Sequence, residues 1–126
     1  AHQKGKFRWP LDGVLSSKFG VRYGRMHDGI DLSAPTGTNI HAAEKGEVIF
    51  ADTQAAYGNI VIIQHDDEFI TIYAQNDKNF VDKGDTVRAG DVIATVGQTG
   101  RATGPHLHFE IRKNNIPRNP LFFLED

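Results

Sequence analysis

The chain has 126 residues, with 14 Lys and Arg against 16 Asp and Glu, a formal net charge of −2 and no cysteine. This is one domain's length around a single core, the balance of charge offers no general nucleic-acid surface, and the absence of thiols excludes disulfides and thiolate metal sites. No apolar run approaches the ~20 residues that span a bilayer, while thirteen glycines, five prolines and many short β-branched runs predict strands and turns with little helix.

Residues 1–8 are basic and aperiodic, so a flexible tail or leftover flank is expected there, with the domain proper running from 9 to 126. The abrupt start reads as that of an excised domain, so a signal or anchor is expected in the full-length form. In His27-Asp28-Gly29-Ile30-Asp31, the imidazole and the last carboxylate stand four apart. Gly24, Gly29 and Pro35 weaken a helical reading, and an extended or looped segment also sets such positions on one side.

Residues 46–51 read as one strand, and 59–64 with 69–74 as a hairpin pair joined by the polar turn His65-Asp66-Asp67-Glu68. In the second of that pair Phe69, Thr71 and Tyr73 share a face, and strict alternation carries Gln75 onto the same side at the strand's end. Residues 86–88 and 91–96 follow as strands across Ala89-Gly90. The recurrence of Gly84-Asp85 and Gly90-Asp91 is turn chemistry, too short for a repeat architecture. Residues 97–104 form a polar, glycine-bearing loop suited to lining a substrate. Arg101 within it is read as solvated, with a carboxylate-bearing peptide as its functional alternative.

The loop delivers the chain into Gly104-Pro105-His106-Leu107-His108-Phe109-Glu110. On a strand His106 and His108 point to one face, roughly 6.5–7 Å apart, with Leu107, Phe109 and Ile111 on the other. One face does chemistry and the other packs. Glu110 shares the histidine face if the strand is regular. Arg112, Lys113 and Arg118 make a small basic cluster read as a solvated face, and the apolar 120–124 stretch is expected to dock on the core.

Of six histidines, His2 belongs to the tail, while His41 and His65 read as structural or hydrogen-bonded. His27, His106 and His108 taken singly would read the same way. Grouped with Asp31, they offer two imidazoles and a carboxylate, the donor set of a catalytic zinc ion with a fourth position open, and one imidazole to spare. The pattern is not His-Glu-x-x-His, so the helix-borne metalloprotease arrangement does not apply.

The ordered motifs Trp9-Pro10-Leu11, Ser17-Lys18-Phe19-Gly20, His27-x-Gly29-Ile30-Asp31-Leu32, Ala34-Pro35-x-Gly37-Thr38, Ala42-Ala43-x-x-Gly46-x-Val48, Tyr57-Gly58-Asn59, Thr99-Gly100, the His106–Glu110 segment and Asn119-Pro120-Leu121 cover most of the chain. Together they resemble lysostaphin-type (LytM-domain) zinc metallopeptidases of the bacterial cell wall. The resemblance implies a mostly β fold, a single LytM-type domain whose antiparallel sheet carries a surface groove with the metal site. It further implies His27, Asp31 and His108 as Zn²⁺ ligands and His106 as a catalytic histidine. The implied substrate is the peptide cross-link of peptidoglycan, and the implied location is the cell envelope, periplasmic or extracellular.

One departure stands out. Where such proteins carry Tyr-Ala-His, with a second catalytic histidine, this chain reads Tyr73-Ala74-Gln75. At the end of its strand Gln75 is expected to face the metal as a second catalytic residue, where a glutamine amide can orient water or donate to an oxyanion but cannot carry a proton. The Gln75-Asn76-Asp77 segment also resembles NlpD-type amidase activators, which gives the alternative of a regulatory or peptidoglycan-binding module whose partner is a cell-wall amidase.

Overall fold

Twelve strands and one short 3-10 turn make up the fold in a computed structural model that describes residues 3–97 and 104–126. In chain order the strands are β1 Val14–Ser17, β2 Gly20–Arg22, β3 Arg25–His27, β4 Ile30–Ser33, β5 Asn39–His41, β6 Gly46–Gln54, β7 Gly58–Gln64, β8 Phe69–Asn79, β9 Thr86–Val87, β10 Val92–Val96, β11 His106–Lys113 and β12 Ile116–Arg118, with the 3-10 turn at Pro120–Phe122. His2, Arg101 and the Thr99-Gly100 motif lie outside the described residues, as does most of the loop preceding His106.

Alternating apolar residues build the main sheet, ordered β1-β4-β11-β8-β7-β6-β9, with β10 joining β8 to β5 and β12 pairing with β11. Every pairing is antiparallel. The expected mostly β architecture is therefore the observed one. One face of the sheet, carrying Val61, Ile63, Tyr73, Leu107, Phe109 and Ile111, is buried in the main core. The opposite face bears a smaller cluster of Ile60, Ile72 and Ala74, and beside it the sheet opens into a groove.

The paired turns at Gly84 and Gly90 share one chemistry. Asp85 Oδ2 accepts the N–H of Asp82 at 2.9 Å, and Asp91 Oδ2 accepts that of Arg88 at 2.8 Å. Each preceding glycine has a positive φ, +99° and +89°, where a side chain would be strained. In the hairpin turn between β7 and β8, Asp66 Oδ1 accepts the N–H groups of both Glu68 and Phe69. His65 at its start is structural: its ring nitrogens meet Lys45 O and Thr71 Oγ1, each at 2.7 Å.

Two expectations need correction. Residues 3–8 are not a free tail. Phe7 is fully buried, its ring 5.1 Å from His65 and 5.7 Å from Phe69, and its backbone bridges Phe123 and Glu125. A short segment without periodicity still docks when one aromatic side chain fills a core position. The apolar 120–124 stretch docks as expected, with Phe123 and Leu124 buried beside it.

The second correction concerns Gln75. Strand β8 does not end there but continues to Asn79, and the alternation breaks. Ile60 pairs with Ala74 while Asn59 pairs with Asn76, so Gln75 is the extra residue of a β-bulge, with φ +69°. The Phe69 side it was expected to share is the core side. The bulge turns Gln75 toward the groove instead, and its N–H donates to Tyr57 O at 2.9 Å.

Candidate metal centre

Three neighbouring strands bring the site together. Across β4 and β11, Asp31 sits opposite His108, and across β11 and β8, His108 sits opposite Ala74. Residues directly opposite share a face, so Asp31 and His108 stand side by side above the groove. His27 enters from the end of β3, with two residues between it and the start of β4. Gly29 permits that approach: a Cβ there would overlap the carbonyl oxygen of Phe109 and stand 2.9 Å from Cγ of Glu110.

The groove, about 290 Å³, is lined by His27, Asp31, Gln75, His106 and His108, together with Asp28, Tyr57 and Glu110. One ligand atom from each of His27, Asp31 and His108 lies within 4.8 Å of the others. His27 Nε2 is 3.4 Å and His108 Nδ1 2.9 Å from Asp31 Oδ1. Ligand atoms at roughly 2.1 Å from a tetrahedral zinc ion lie about 3.4 Å from one another, so the three donors fit such an ion with small adjustments.

Backbone carbonyls and carboxylates select which nitrogen each imidazole offers. A carbonyl only accepts, so His27 Nδ1 donates to Lys18 O at 2.9 Å and leaves the Nε2 lone pair facing Asp31. His106 Nδ1 likewise donates to Gly104 O at 3.0 Å, which leaves its Nε2 free to take a proton. His108 Nε2 meets Glu110 Oε2 at 2.8 Å, leaving Nδ1 toward the centre. A ligand imidazole whose other N–H is held by a carboxylate is the usual arrangement around zinc.

Glu110 is fully buried, and its charge is balanced. It accepts from His108, from Tyr57 Oη at 2.9 Å and from Arg112 Nε at 2.8 Å. Burial alone would raise its pKa, but His108 and Arg112 overrule it and hold the carboxyl low. Asp31 is also held below its ordinary value, burial being outweighed by the His108 hydrogen bond and the neighbouring imidazoles. For His108 burial disfavours the charge, yet the hydrogen bonds to Asp31 and Glu110 push its pKa up to about 9. Burial and the Glu110 carboxylate push the Tyr57 hydroxyl up to about 12, so it remains a donor.

Sequence reasoning missed two of these residues. Tyr57 comes from the β6–β7 connection, and no spacing ties it to Glu110, 53 positions away. Arg112 was read as part of a solvated basic face; instead it is half-buried and closes the polar chain Asp31–His108–Glu110–Arg112. The i, i+2 rule on β11 that grouped His106 with His108 also places Glu110 and Arg112 on that face. Lys113 and Arg118 make surface contacts, with Glu68 at 3.5 Å and over the Phe123 ring respectively. His41 donates from Nδ1 to Gly90 O at 2.9 Å, away from the metal centre.

Known proteins share this arrangement of sequence and fold. The chain is 43% identical over 113 residues to DD-carboxypeptidase/endopeptidase Mpg of Neisseria meningitidis, covering 85% of this chain and 26% of that protein. It is 40% identical over 119 residues to Murein hydrolase activator NlpD of Escherichia coli, covering 94% and 31% respectively. The chain thus spans about a quarter to a third of these curated relatives. Among solved structures, the catalytic domain of the antimicrobial peptidase lysostaphin from Staphylococcus simulans superposes with a TM-score of 0.74 at 30% identity, covering 87% of this chain and 86% of that one. Residues 25–120, which run from β3 through the metal-site strands to the C-terminal 3-10 turn, match Peptidase family M23, and the chain belongs to that family.

Proposed function

We propose that this domain is a zinc-dependent endopeptidase acting on the peptide cross-links of peptidoglycan in the bacterial cell envelope, with His27, Asp31 and His108 as metal ligands. The observation that carries the reading is the convergence of Nε2, Oδ1 and Nδ1 from those residues in an open groove. The likeness to a DD-carboxypeptidase/endopeptidase and to the lysostaphin catalytic domain supports it.

When bound, zinc supplies Lewis-acid polarisation of the scissile carbonyl and acidifies water toward a pKa of about 7. The protein's own residues do the rest. His106 takes a proton at Nε2 while Gly104 O fixes its ring. Glu110 holds His108 with Nδ1 toward the centre, and Tyr57 and Arg112 hold Glu110. Gln75 faces the groove with a buried Oε1 that has no hydrogen-bond partner among the described residues. Its amide binds and orients substrate but moves no proton.

That same residue favours a second reading, a regulatory or peptidoglycan-binding module that engages a cell-wall amidase. The 40% identity to a murein hydrolase activator supports it. Incubating the zinc-loaded domain with cross-linked muropeptides separates the two. Cleavage that stops on chelation supports the peptidase, and zinc-loaded protein that binds muropeptide without cutting it supports the module.

A further inference from the structure

The β2–β3 hairpin carries charge that the metal centre does not use. In its register Gly20 lies opposite His27 and Arg22 opposite Arg25. Both arginines therefore belong to the hairpin face that bears His27, and Val21 and Met26 belong to the other. Like charges directly opposite one another disfavour a two-stranded ribbon. Asp12 and Asp28 flank the stretch 13–27, whose own charges are Lys18, Arg22 and Arg25, and neither acid pairs with an arginine of the hairpin among the described residues. Arg22 donates to Ser17 Oγ, and Arg25 forms no ion pair among the described residues.

The hairpin tip is equally unlike a purely structural turn. Tyr23 and Gly24 have φ +51° and +75°, and Tyr23 is fully exposed. Bulky residues are rare in that conformation, where Asn or Gly is the usual choice, and no packing rewards Tyr23 for adopting it. Arg22, Tyr23, Arg25, Met26 and His27 line a cleft of about 270 Å³ at the edge of the hairpin, and His27 also lines the groove, so cleft and groove share a wall. Arg22 and Arg25 are the only Lys or Arg side chains among the described residues lining the two. The groove itself presents Asp28, Asp31 and Glu110.

We infer that the Gly20–His27 hairpin is a carboxylate-reading arm: Arg22 and Arg25 pair with a carboxylate of the peptide lying in the groove, and the Tyr23 ring covers that contact. The arm offers a substrate carboxylate a cationic seat beside the groove, whose own acids are paired or take part in the proposed ligand set. Guanidinium forks suit carboxylates because two parallel N–H groups match two oxygens. The inference rests on the reading of the groove as a peptide site, and it makes acidic peptides the preferred class.

Calorimetry of the zinc-loaded protein with a muropeptide stem, and with the same stem after its carboxyl groups are amidated, tests it. The expected preference for the acid form is roughly tenfold, the size of one charge-assisted contact. The double variant Arg22→Gln/Arg25→Gln should bind both forms alike with its zinc content unchanged, and Arg22→Lys/Arg25→Lys should restore part of the preference. A merely structural role would lower both affinities together. Equal affinity of the wild type for the two forms, or a preference that survives Arg22→Gln/Arg25→Gln, overturns the arm alone. Failure of the wild type to bind either form overturns the peptide-site reading and the arm with it.

Discussion

Glu110 carries no exposed surface yet makes three polar contacts, and its removal reaches the metal ligands through His108. Glu110→Gln keeps the volume but loses the charge that fixes the His108 N–H and balances Arg112. Zinc affinity should fall by roughly 10–100-fold, as for other carboxylates that orient ligand imidazoles; competition against a chromophoric chelator reads it, and unchanged affinity would show that Glu110 does not orient His108. Gln75 is the complementary case, where a proton carrier is missing. Gln75→His supplies one on the groove wall and should raise cleavage of cross-linked muropeptides by roughly 10²–10⁴-fold. No gain would mean that proton transfer at this position does not limit the rate.

At the scale of elements, β4 and β11 matter most, because their register sets the Asp31–His108 pair. Gly29 keeps the β3–β4 connection close against Phe109 and Glu110. Gly29→Ala should destabilise the fold by about 1–3 kcal/mol, the usual cost of overpacking, and loosen zinc binding at the same time; thermal unfolding with and without zinc measures both. A stable variant with full zinc affinity would show that this approach is not tight. The strands over 59–64, 69–74 and 106–111 were legible in the sequence, and alternation over 106–111 places Leu107, Phe109 and Ile111 on the core side, whereas the apolar run 60–63 and the two apolar-bearing faces of 69–74 do not say which side packs. The ligand face of β11 was legible for the same reason. The Gln75 bulge was not, because a single inserted residue leaves no trace in a periodic pattern. Phe7 and Tyr57 escaped too, as their partners lie far away in sequence.

For the molecule as a whole, the Asp31–His108–Glu110 cluster of the proposed metal centre ties stability to pH. In the metal-free protein His108 holds its proton up to about 9, above its ordinary value. The sign follows from linkage: this stabilisation is complete below the unfolded pKa of about 6.5 and is lost as pH rises through about 9. Zinc bound as proposed would displace that proton from Nδ1, so its uptake would release protons and tighten as pH rises. Zinc should therefore raise the unfolding midpoint more at about pH 8 than at about pH 6, through mass action on the folded state. A larger shift at the lower pH would contradict the protonated Asp31–His108 pair. The fold's other demands are ordinary ones, a core closed by Phe7 and Phe123 at the two ends of the chain.

Zinc stoichiometry across a set of single variants decides whether His27, Asp31 and His108 hold the ion. Elemental analysis should find one equivalent in the wild type and in His106→Ala, and a loss of tightly held zinc in His27→Ala, Asp31→Ala and His108→Ala, with each variant's folding checked by circular dichroism. Folded His108→Ala or Asp31→Ala protein that keeps its full equivalent of zinc would contradict the ligand set, and with it the account of the groove.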